Sequence, residues 1–520
     1  MTTLEDLSSR SDAFDADADA DLPGADADLP GAGADADAPA GVDPADMAVF
    51  VRVARQVAHL PSDHPDQIEA RRATAGLYKL AKKVRRDERR RDLQDHDRAV
   101  IHSTATGSPG RIDDETAGLL PSSATTPDRV AGTLRKPQPC YVCKELFTQV
   151  DWFYHQLCPA CAALNHAKRD ARTDLTGRRA LLTGGRAKIG MYIALRLLRD
   201  GADLTITTRF PRDAARRFAA MPDAHEWLDR LDVVGIDLRD PAQVVALADH
   251  VAARGPLDIL VNNAAQTVRR TPGAYSALAE AENLHLPDDP DVPTITFGRT
   301  SAAHPAMLAG SVTDLPSNPV GADLASLGPA RAALDAASAS LERHLAGTAI
   351  DAGGLLPDEV DHNSWVATVE QVDPMELLEV QLCNSTAPFI LLSRLRASMS
   401  ATATGRAYVV NVSAMEGVFA RGYKGPGHPH TNMAKAAVNM LTRTSATELA
   451  EHGIYMTSVD TGWITDERPH TTKVRLAQEG FHAPLDLVDG AARVYDPIVR
   501  GEAGELLHGC FLKDYARAPW

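Results

Sequence analysis

Short apolar runs rich in Val, Ile, Leu and Thr alternate with helical patterns from about residue 175 onward. Nearly continuous apolar runs of this length are typical of strands that are buried on both faces of a parallel sheet. The predicted strands are Arg179–Thr183, Asp203–Thr208, Asp232–Asp237, Leu257–Asn262, Ala407–Ser413 and Tyr455–Asp460. The predicted helices are Ile189–Arg199, Pro211–Ala220, Ala242–Ala253, Met375–Ser398 and Asn432–Glu451. The alternation predicts an α/β fold with a doubly wound parallel sheet, whose ligands lie at the carboxyl ends of the strands.

The N-terminal part of the chain divides into three segments by composition. Residues 1–45 contain twelve Asp and Glu residues but one Arg. With few bulky apolar residues to offset the loss of chain entropy, we expect this acidic tail to be disordered. Helical spacing over Met47–Leu60 and Gln67–Leu93 predicts a helical segment at 46–95, and the Ser-, Thr-, Gly- and Pro-rich sequence at 96–137 predicts a linker.

A basic cluster ends the second of these predicted helices. It consists of Lys82, Lys83, Arg85, Arg86, Arg89, Arg90 and Arg91. Such a cluster can bind nucleic acid or an acidic partner, but on helices it is more often a solvated face, so we expect no nucleic-acid partner. The first residues, MTTLEDLSS, do not resemble a signal peptide, and no window approaches the roughly 18 apolar residues of a membrane span. We therefore expect a cytoplasmic protein without a membrane partner.

Four of the six cysteines form two CxxC pairs. They are Cys140 with Cys143 and Cys158 with Cys161. Each pair can supply two thiolates to adjacent corners of a tetrahedron, so the spacing predicts a zinc module over 138–172. Four protein ligands leave no open position for a water molecule, which favours a structural role. A thioredoxin-like redox pair is the weaker alternative.

A glycine-rich turn, in the sequence ALLTGGRAKIG, joins the first predicted strand of the α/β region to the next helix. Gly184 and Gly190 allow the backbone to approach a pyrophosphate closely. The helix that opens near Ile189 offers unpaired N–H groups and the positive end of its dipole. These features predict a site for a nicotinamide dinucleotide.

Several motifs in this order resemble the short-chain dehydrogenase/reductase family over about residues 175–515. The cofactor-binding motifs are Thr183-Gly184 with Ile189-Gly190, Asp237-Leu238, Asn262-Asn263-Ala264-Ala265 and Thr461-Gly462. The resemblance implies that Asp237 lies beside the adenine and that Thr461-Gly462 lies next to the nicotinamide. It also implies that Asn384 anchors a proton-relay water and that Lys435 binds the nicotinamide ribose. The expected fold is a Rossmann-type domain over 173–520.

The sequence departs from the family pattern at three positions of the expected site. Lys188 stands where the family has the middle glycine of its cofactor turn. Ala414 occupies the usual place of the catalytic serine, with Ser413 beside it, and Thr431 replaces the tyrosine of Tyr-x-x-x-Lys. Because a threonine hydroxyl is far less acidic than a phenol, either another group donates the proton or none does.

Two histidines and a tyrosine are candidates for the missing proton donor. His430 adjoins Thr431, and His428 lies seven residues before Lys435, the spacing at which the enoyl-reductase branch of the family keeps its tyrosine. A histidine at this place can titrate close to neutral pH and act as the acid. Tyr423 lies on the preceding loop. In the alternative interpretation, the histidines only line a substrate loop or cap a helix.

The residues after the second strand of the α/β region favour NADP over NAD. The sequence ITTRFPR has no carboxylate where an NAD enzyme binds the ribose 2′-hydroxyl, and it supplies Arg209 with Arg212 nearby. Lys188 or Arg186 can add a second cation to a 2′-phosphate. In the alternative interpretation, Arg212 faces the solvent.

A long insertion, at about 266–370, separates Ala265 from the helix predicted at Met375. Loops of this length in compact domains are typically lids, binding elements or disordered segments. The insertion is therefore either a cover over the substrate or a segment without contact to the ligand.

Two classes of function remain. The first is an NADP(H)-dependent oxidoreductase that transfers hydride to or from a carbonyl, an alcohol or an activated alkene, with Ser413 orienting a small-molecule substrate. The second is a non-redox dinucleotide-binding sensor or scaffold that contacts a partner through the zinc module and the basic helix. The absent tyrosine favours this second class. The family resemblance implies a homo-oligomer formed through the helices at Met375–Ser398 and Asn432–Glu451.

Overall fold

The computed structural model describes residues 41–109, 111, 130–270, 272–275, 278–279, 282, 290–298, 300, 354–355, 360–465 and 467–520. Nearly all of the predicted acidic tail lies outside these residues, as does the central part of the predicted insertion. By their contacts the residues group into two units, 1–99 and 100–520, and each unit is described by itself.

Two helices form the described part of the first unit. Helix α1 spans Pro44–Ala58 and is capped by Asp43, whose carboxylate accepts the N–H of Ala45 at 2.7 Å. Helix α2 spans Pro65–His102, and its last residues belong to the second unit. Neither helix has a buried residue. Both predicted helices are present, although the second one ends later than expected.

A small module precedes the large sheet. Its strands Val130–Pro139 (β1) and Leu146–Asp151 (β2) form an antiparallel pair, and helix α3 spans Pro159–Arg169. A small apolar core is formed by Leu134, Cys140, Phe147 and Val150. The expectation of a linker at 96–137 is therefore corrected, because its described ends belong to α2 and β1. The Gly, Lys and Pro residues of β1 concealed a strand whose pairing with β2 outweighs local propensity.

The remaining elements build a nine-stranded sheet with helices on both faces. Its strands are Arg179–Leu182 (β3), Asp203–Thr208 (β4), Leu231–Gly235 (β5), Ile259–Asn262 (β6), Thr294–Thr296 (β7), Ala407–Ser413 (β8), Ile454–Asp460 (β9), Phe511–Lys513 (β10) and Ala516–Ala518 (β11). The helices are Lys188–Arg199 (α4), Pro211–Ala219 (α5), Pro241–Ala253 (α6), Pro374–Gln381 (α7), Ala387–Ser400 (α8), Pro429–Ala450 (α9), His470–Gln478 (α10) and Leu487–Glu502 (α11). Among the described residues, no helix is long and apolar enough to cross a membrane.

The sheet order is β11-β10-β9-β8-β6-β3-β4-β5-β7. All neighbouring strands are parallel except β10 and β11, which are antiparallel. From β3 the chain moves outward through β4 to β5, and from β6 it moves outward in the other direction through β8 and β9. Such a reversal opens a crevice at the carboxyl ends of the two central strands, where ligands of open α/β sheets bind. The predicted doubly wound parallel sheet is confirmed.

Two apolar cores lie on opposite faces of this sheet. On one face, residues of α4, α5 and α11, among them Ile193, Phe218 and Val494, pack against the strands. On the other face, α6, α8 and α9 contribute residues such as Leu247 and Leu391. Each core covers strands with nearly continuous Val, Ile and Leu, which explains why the apolar pattern was readable from the sequence.

Strand β7 of the large sheet was not predicted. Strand β7 lies within the insertion and pairs with the edge strand β5, with Val233 opposite Thr294. It is three residues long and exposed, so it has no buried apolar periodicity that sequence reasoning could detect. The part of the insertion that carries β7 is therefore integrated into the sheet.

Close packing of the glycine-rich turn generates the first prediction. A Cβ atom on Gly190 would lie 2.0 Å from the carbonyl oxygen of Gly184, whereas one on Gly422 would meet nothing within 4 Å. Because a backbone atom cannot move aside without a large energetic cost, Gly190→Ala should lower the free energy of unfolding by about 2 kcal/mol. Calorimetry of the ligand-free protein should show a lower unfolding temperature for Gly190→Ala than for Gly422→Ala. Equal unfolding temperatures would refute the described packing of the turn.

Candidate functional site

A threonine hydroxyl joins the two central strands at their carboxyl ends. Thr183 follows β3, and its Oγ1 accepts the N–H groups of both Asn263 and Ala264 at 3.0 Å. The side-chain amide of Asn263 in turn donates to the carbonyl oxygens of Thr183 and Gly184 at 3.1 Å. Thr207 on β4 accepts the N–H of Gly184 at 3.1 Å. The residues predicted to bind the dinucleotide are thus fixed to one another before any ligand arrives.

Glycine is required in the turn by space as well as by conformation. Gly184 has φ of +69°, and a Cβ on it would lie 2.9 Å from the Cα of Ala264. Gly190 lies against the Gly184 carbonyl. The turn therefore brings its backbone directly onto the end of β6.

Helix α4 begins at Lys188 without a capping side chain, since its N-cap residue is Ala187. Lys188 has φ of 52°, in the left-handed region that favours glycine and costs another residue about 1 kcal/mol. Ile189 packs against a second apolar cluster, to which the small module contributes Phe153, Tyr154 and Leu157. An N-terminus that lacks a side-chain cap offers its N–H groups to an anion.

The predicted 2′-phosphate residues differ in their surroundings. Arg186 pairs with Asp213 at 2.5 Å, and Arg212 donates to the main-chain carbonyl of Glu282 at 2.9 Å. Arg209 lies over the ring of Tyr275 at 4.6 Å, and within the described part of the chain no carboxylate forms an ion pair with it. The structure therefore places Arg209 in the most available position of the three.

Asp237 lies at the end of the strand region that begins with β5, and it is buried. Its carboxylate accepts hydrogen bonds from Arg239, the shortest at 2.7 Å, and Arg239 also donates to Glu379 at 3.0 Å. Leu238 beside it is buried in the apolar core. The carboxylate of Asp237 is thus engaged inside the protein.

Asn384 lies in a π turn at Leu382–Thr386 that separates α7 from α8. Its side chain accepts the N–H of Gln266 at 2.7 Å and donates to the carbonyl of the same residue at 2.9 Å. The sequence predicted one continuous helix here. A π turn interrupts the usual ladder of main-chain hydrogen bonds, and the side chain of Asn384 is occupied by the main chain of Gln266.

Ser413, Thr431 and Lys435 converge where β8 meets α9. The Nζ of Lys435 donates to the carbonyl of Val412 at 3.0 Å. The Oγ atoms of Ser413 and Thr431 are buried and have no hydrogen-bond partner in the described part of the chain. Burial lowers the pKa of Lys435, while Glu416 acts in the opposite direction. Buried hydroxyl groups that lack a hydrogen-bond partner beside a buried cation indicate a candidate site for a polar ligand.

His428 is held by a tryptophan from the end of the insertion. Its ring stacks on that of Trp365 with centroids 4.0 Å apart, and its Nδ1 lies 2.8 Å from the carbonyl oxygen of the same residue. The backbone of His428 is left-handed, with φ of 42°, and its N–H donates to Ala367. Burial lowers the pKa of His428 below its ordinary value of 6.5. The insertion therefore reaches the predicted site.

His430 points elsewhere. It is buried, and its Nε2 lies 3.9 Å from a carboxylate oxygen of Glu376 on α7. Neither ring nitrogen has a hydrogen-bond partner among the described residues, and burial lowers its pKa. Tyr423 is exposed. Of the three candidates, His428 has the most constrained geometry.

Asp460 opens the turn predicted beside the nicotinamide, but sequence reasoning gave this carboxylate no role of its own. It ends β9 directly opposite Ser413, and paired residues of parallel strands point to the same face of the sheet. It is buried, its carboxylate accepts the N–H of Gly462 at 3.3 Å, and burial raises its pKa to about 6, with Asp514 acting in the same direction. Its position at a strand end was the available signal. Thr461 and Gly462, predicted to lie by the nicotinamide, follow it.

Asn262, the remaining predicted cofactor residue, is committed to the sheet. Its side-chain amide donates to Asn411 at 2.8 Å, and Asn411 donates to Thr442 on α9 at 2.9 Å. This chain of hydrogen bonds ties β6 and β8 to the helix that carries Lys435. Asn262 thus contributes to the shape of the site from inside.

The four cysteines of the two CxxC pairs meet in one cluster. Their Sγ atoms all lie within 4.8 Å of one another, and those of Cys143 and Cys158 are 3.6 Å apart. Tetrahedral zinc with Zn–S bonds of about 2.3 Å places its sulfur atoms a little under 4 Å apart, so the cluster fits such an ion. Burial, followed by neighbouring thiol groups, raises the pKa of Cys161. A bound cation would favour the thiolate form instead.

Comparisons with known proteins agree with this architecture. A family model described as short chain dehydrogenase matches residues 178–283 and 319–475. An uncharacterized protein of Acanthamoeba polyphaga mimivirus is 30% identical over 379 residues, which cover 69% of this chain and 71% of that protein. A probable oxidoreductase of Streptomyces antibioticus is 44% identical over 94 residues, which cover 18% of this chain and 30% of that protein.

Two of the solved structures that match the chain show the degree of similarity. The Pseudomonas aeruginosa RhlG/NADP active-site complex has a TM-score of 0.39 at 20% identity and covers 65% of this chain and 95% of that chain. A gluconate 5-dehydrogenase from Burkholderia cenocepacia, in complex with NADP and tartrate, has a TM-score of 0.40 at 19% identity. The match covers 67% of this chain and 96% of that chain. The family model decides the assignment: the chain belongs to the short chain dehydrogenase family.

Proposed function

We propose that the protein is an NADP(H)-dependent oxidoreductase that transfers hydride to or from a carbonyl, an alcohol or an activated alkene. The observation that carries this proposal is that Lys435 of α9 reaches the end of β8 beside Ser413, and that the hydroxyl groups of Ser413 and Thr431 are buried without a hydrogen-bond partner in the described part of the chain. These groups lie beside the crevice that the strand order opens between β3 and β6.

The residues around the crevice fit a dinucleotide. The glycine-rich turn and the start of α4 would hold the pyrophosphate, because α4 begins without a capping side chain. Lys435 would bind the nicotinamide ribose, and the turn at Thr461-Gly462 would contact the nicotinamide. The dinucleotide supplies or accepts the hydride when it is bound.

Arg209 supports the choice of NADP over NAD. Its guanidinium faces Tyr275 rather than a carboxylate, so it is available to a 2′-phosphate, whereas Arg186 is occupied by Asp213. No acidic residue stands at the position where NAD enzymes bind the ribose 2′-hydroxyl.

We assign the donation and acceptance of the catalytic proton to the side chain of His428. His428 precedes Lys435 by seven residues and is the left-handed residue directly before α9, whereas Thr431 lies one helical turn before Lys435 on the same face of α9. His430 is five residues from Lys435 and faces Glu376 on α7 instead. Thr431 itself would contribute a hydrogen bond to the substrate oxygen rather than its proton.

The hydrogen bond to Trp365 sets the chemistry of the His428 ring. A carbonyl oxygen can only accept, so Nδ1 of His428 carries a hydrogen, and Nε2 of the neutral ring has a free lone pair. The neutral ring can therefore accept a proton from an alcohol through Nε2, and the protonated ring can donate one to a carbonyl oxygen. Stacking on Trp365 keeps the ring in place in both directions.

This assignment predicts a pH-dependent loss of turnover. His428→Phe keeps an aromatic ring on Trp365 but removes both nitrogen atoms, so we expect kcat/KM to fall by about 100-fold or more. In the native protein, carbonyl reduction should slow as the pH rises through the lowered pKa of His428, because the protonated ring is the donor. Alcohol oxidation should slow as the pH falls. Reduced-nicotinamide absorbance, recorded over a panel of ketones, aldehydes and enones, measures both directions.

The control is His452→Phe, which changes a half-exposed histidine just beyond the end of α9. An unchanged kcat/KM and pH profile in His428→Phe would show that another group moves the proton. Absence of turnover over the whole panel, together with tight NADPH binding, would favour the second candidate function. That candidate is a non-redox dinucleotide sensor, which threonine in the position of the family's tyrosine supports.

For the cysteine cluster we propose a structural zinc ion bound by Cys140, Cys143, Cys158 and Cys161. The four sulfur atoms satisfy the tetrahedral coordination of zinc without leaving an open position. The ion would join the turn after β1 to the start of α3. It would thereby replace the larger apolar core that so small a module cannot form.

We expect one zinc ion per chain in protein purified without chelator. Cys158→Ser should abolish zinc binding and lower the unfolding temperature, because a structural metal contributes folding energy. Cys383→Ser, which removes a cysteine outside the cluster, is the matched control. Elemental analysis and calorimetry provide the two measurements. Absence of zinc in the native protein would exclude the assignment.

We also propose a homo-oligomer formed through α8 and α9. These helices expose large apolar side chains, with Phe389 58%, Met433 57% and Met440 53% accessible. Exposed apolar side chains of this size on neighbouring helices are typical of surfaces that bind another protein.

A further inference from the structure

The cysteine module touches the same turn that we assign to the nicotinamide. We propose that Tyr141, held between two of the metal ligands, positions the turn at Asp460–Trp463, so that metal binding in the module sets the affinity for the dinucleotide. This inference rests on the proposed dinucleotide site. It adds to that site a positioning residue and a source of regulation.

Tyr141 lies in the first CxxC turn, between Cys140 and Cys143. Two main-chain hydrogen bonds hold this turn in place. The N–H of Cys140 donates to Glu145 at 2.9 Å, and that of Tyr141 donates to Gln156 at 2.8 Å. A metal ion bound by the cysteines on either side would leave Tyr141 little freedom to move.

The phenol oxygen of Tyr141 accepts the main-chain N–H of Trp463 at 2.8 Å. A Cβ atom on Gly462 would lie only 3.6 Å from the same oxygen, and Gly462 has φ of +79°. A turn with a left-handed glycine is intrinsically adaptable. The hydrogen bond to Tyr141 is therefore a direct restraint on its conformation.

The module also contacts the other side of the dinucleotide crevice. Tyr141, Ile189 and Ile464 belong to one apolar cluster with Leu485 and Phe153. Ile189 lies in the first turn of α4, where the phosphates are expected, and Ile464 directly follows the nicotinamide turn. The module thus packs against both elements that flank the crevice.

Ion pairs dock the module rigidly onto helix α11. Lys168 pairs with Asp496 at 2.5 Å, and Arg169 pairs with Asp486 at 2.5 Å. Tyr154 donates to Asp489 at 2.6 Å. Because most of these groups are buried, the module cannot shift freely relative to the sheet, so Tyr141 is fixed from α11 and from the cysteine cluster together.

The matched pair Tyr141→Phe and Tyr154→Phe tests this inference. Each variant removes one phenol oxygen from the module. Tyr141 contacts the nicotinamide turn, whereas the hydrogen bond of Tyr154 is one of several docking contacts, and both ion pairs remain without it. We expect the Kd for NADPH to rise at least about tenfold, a change of 1.4 kcal/mol, in Tyr141→Phe and less than about twofold in Tyr154→Phe. Titration calorimetry measures both constants, and the zinc content of each variant shows that the module is intact.

Metal removal and the Tyr141→Phe substitution together form a thermodynamic cycle for NADPH binding. Chelator treatment of the native protein should weaken NADPH binding, and the same treatment should have a smaller effect in Tyr141→Phe, because the restraint is already absent. An unchanged Kd for NADPH in Tyr141→Phe with full zinc content would overturn the inference, as would chelator effects of equal size in the two proteins. If Tyr141→Phe does not fold, the chelator experiment on the native protein decides alone, and an unchanged affinity there refutes the inference.

Failure of the proposed function gives a different result. In that case the native, metal-loaded protein would not bind NADPH at all, and the inference would fall with it. Binding by the native protein with equal affinity in Tyr141→Phe would leave the proposed function intact and would refute only the role of Tyr141.

Discussion

The hydroxyl group of Thr183 holds the ends of β3 and β6 together, and the rest of the site depends on this junction. By accepting the N–H groups of Asn263 and Ala264, it fixes the distance between the strands at the point where the strand order reverses. The glycine-rich turn can then close onto the end of β6 only because Gly184 and Gly190 carry no side chain. The fold itself thus holds the turn in place, which would limit the cost of ordering if an anion binds there.

The buried polar groups around this junction differ in whether their hydrogen bonds are satisfied within the protein. The network of Asp237, Arg239 and Glu379 is satisfied internally, and its role is to hold α7 against the sheet. At the opposite side of the crevice, Ser413 and Thr431 are buried, and their hydroxyl groups have no hydrogen-bond partner among the residues that the structure describes. Since a buried polar group without a partner costs about 1–3 kcal/mol, a ligand that formed hydrogen bonds with these two hydroxyl groups would offset that cost.

Sequence reasoning located the sheet and the glycine-rich turn because both follow from local patterns of apolar residues and glycines. It missed β7, which is short and exposed, and it took β1 for a linker, because the pairing that creates β1 lies outside its own sequence. The spacing of the cysteines correctly indicated that they meet. The contacts of Tyr141 with Trp463 and of Trp365 with His428 join residues far apart in the chain, so no local signal could reveal them. The assignment of individual residues to the cofactor remains a prediction.

The central claim is that the crevice between β3 and β6 binds a phosphorylated nicotinamide dinucleotide. Isothermal titration calorimetry on the metal-loaded protein tests this claim most directly. The account predicts one NADPH bound per chain, with weaker binding of NADH because Arg209 then has no 2′-phosphate to contact. If neither NADPH nor NADH bound to the folded protein, the assignment of the crevice would be wrong.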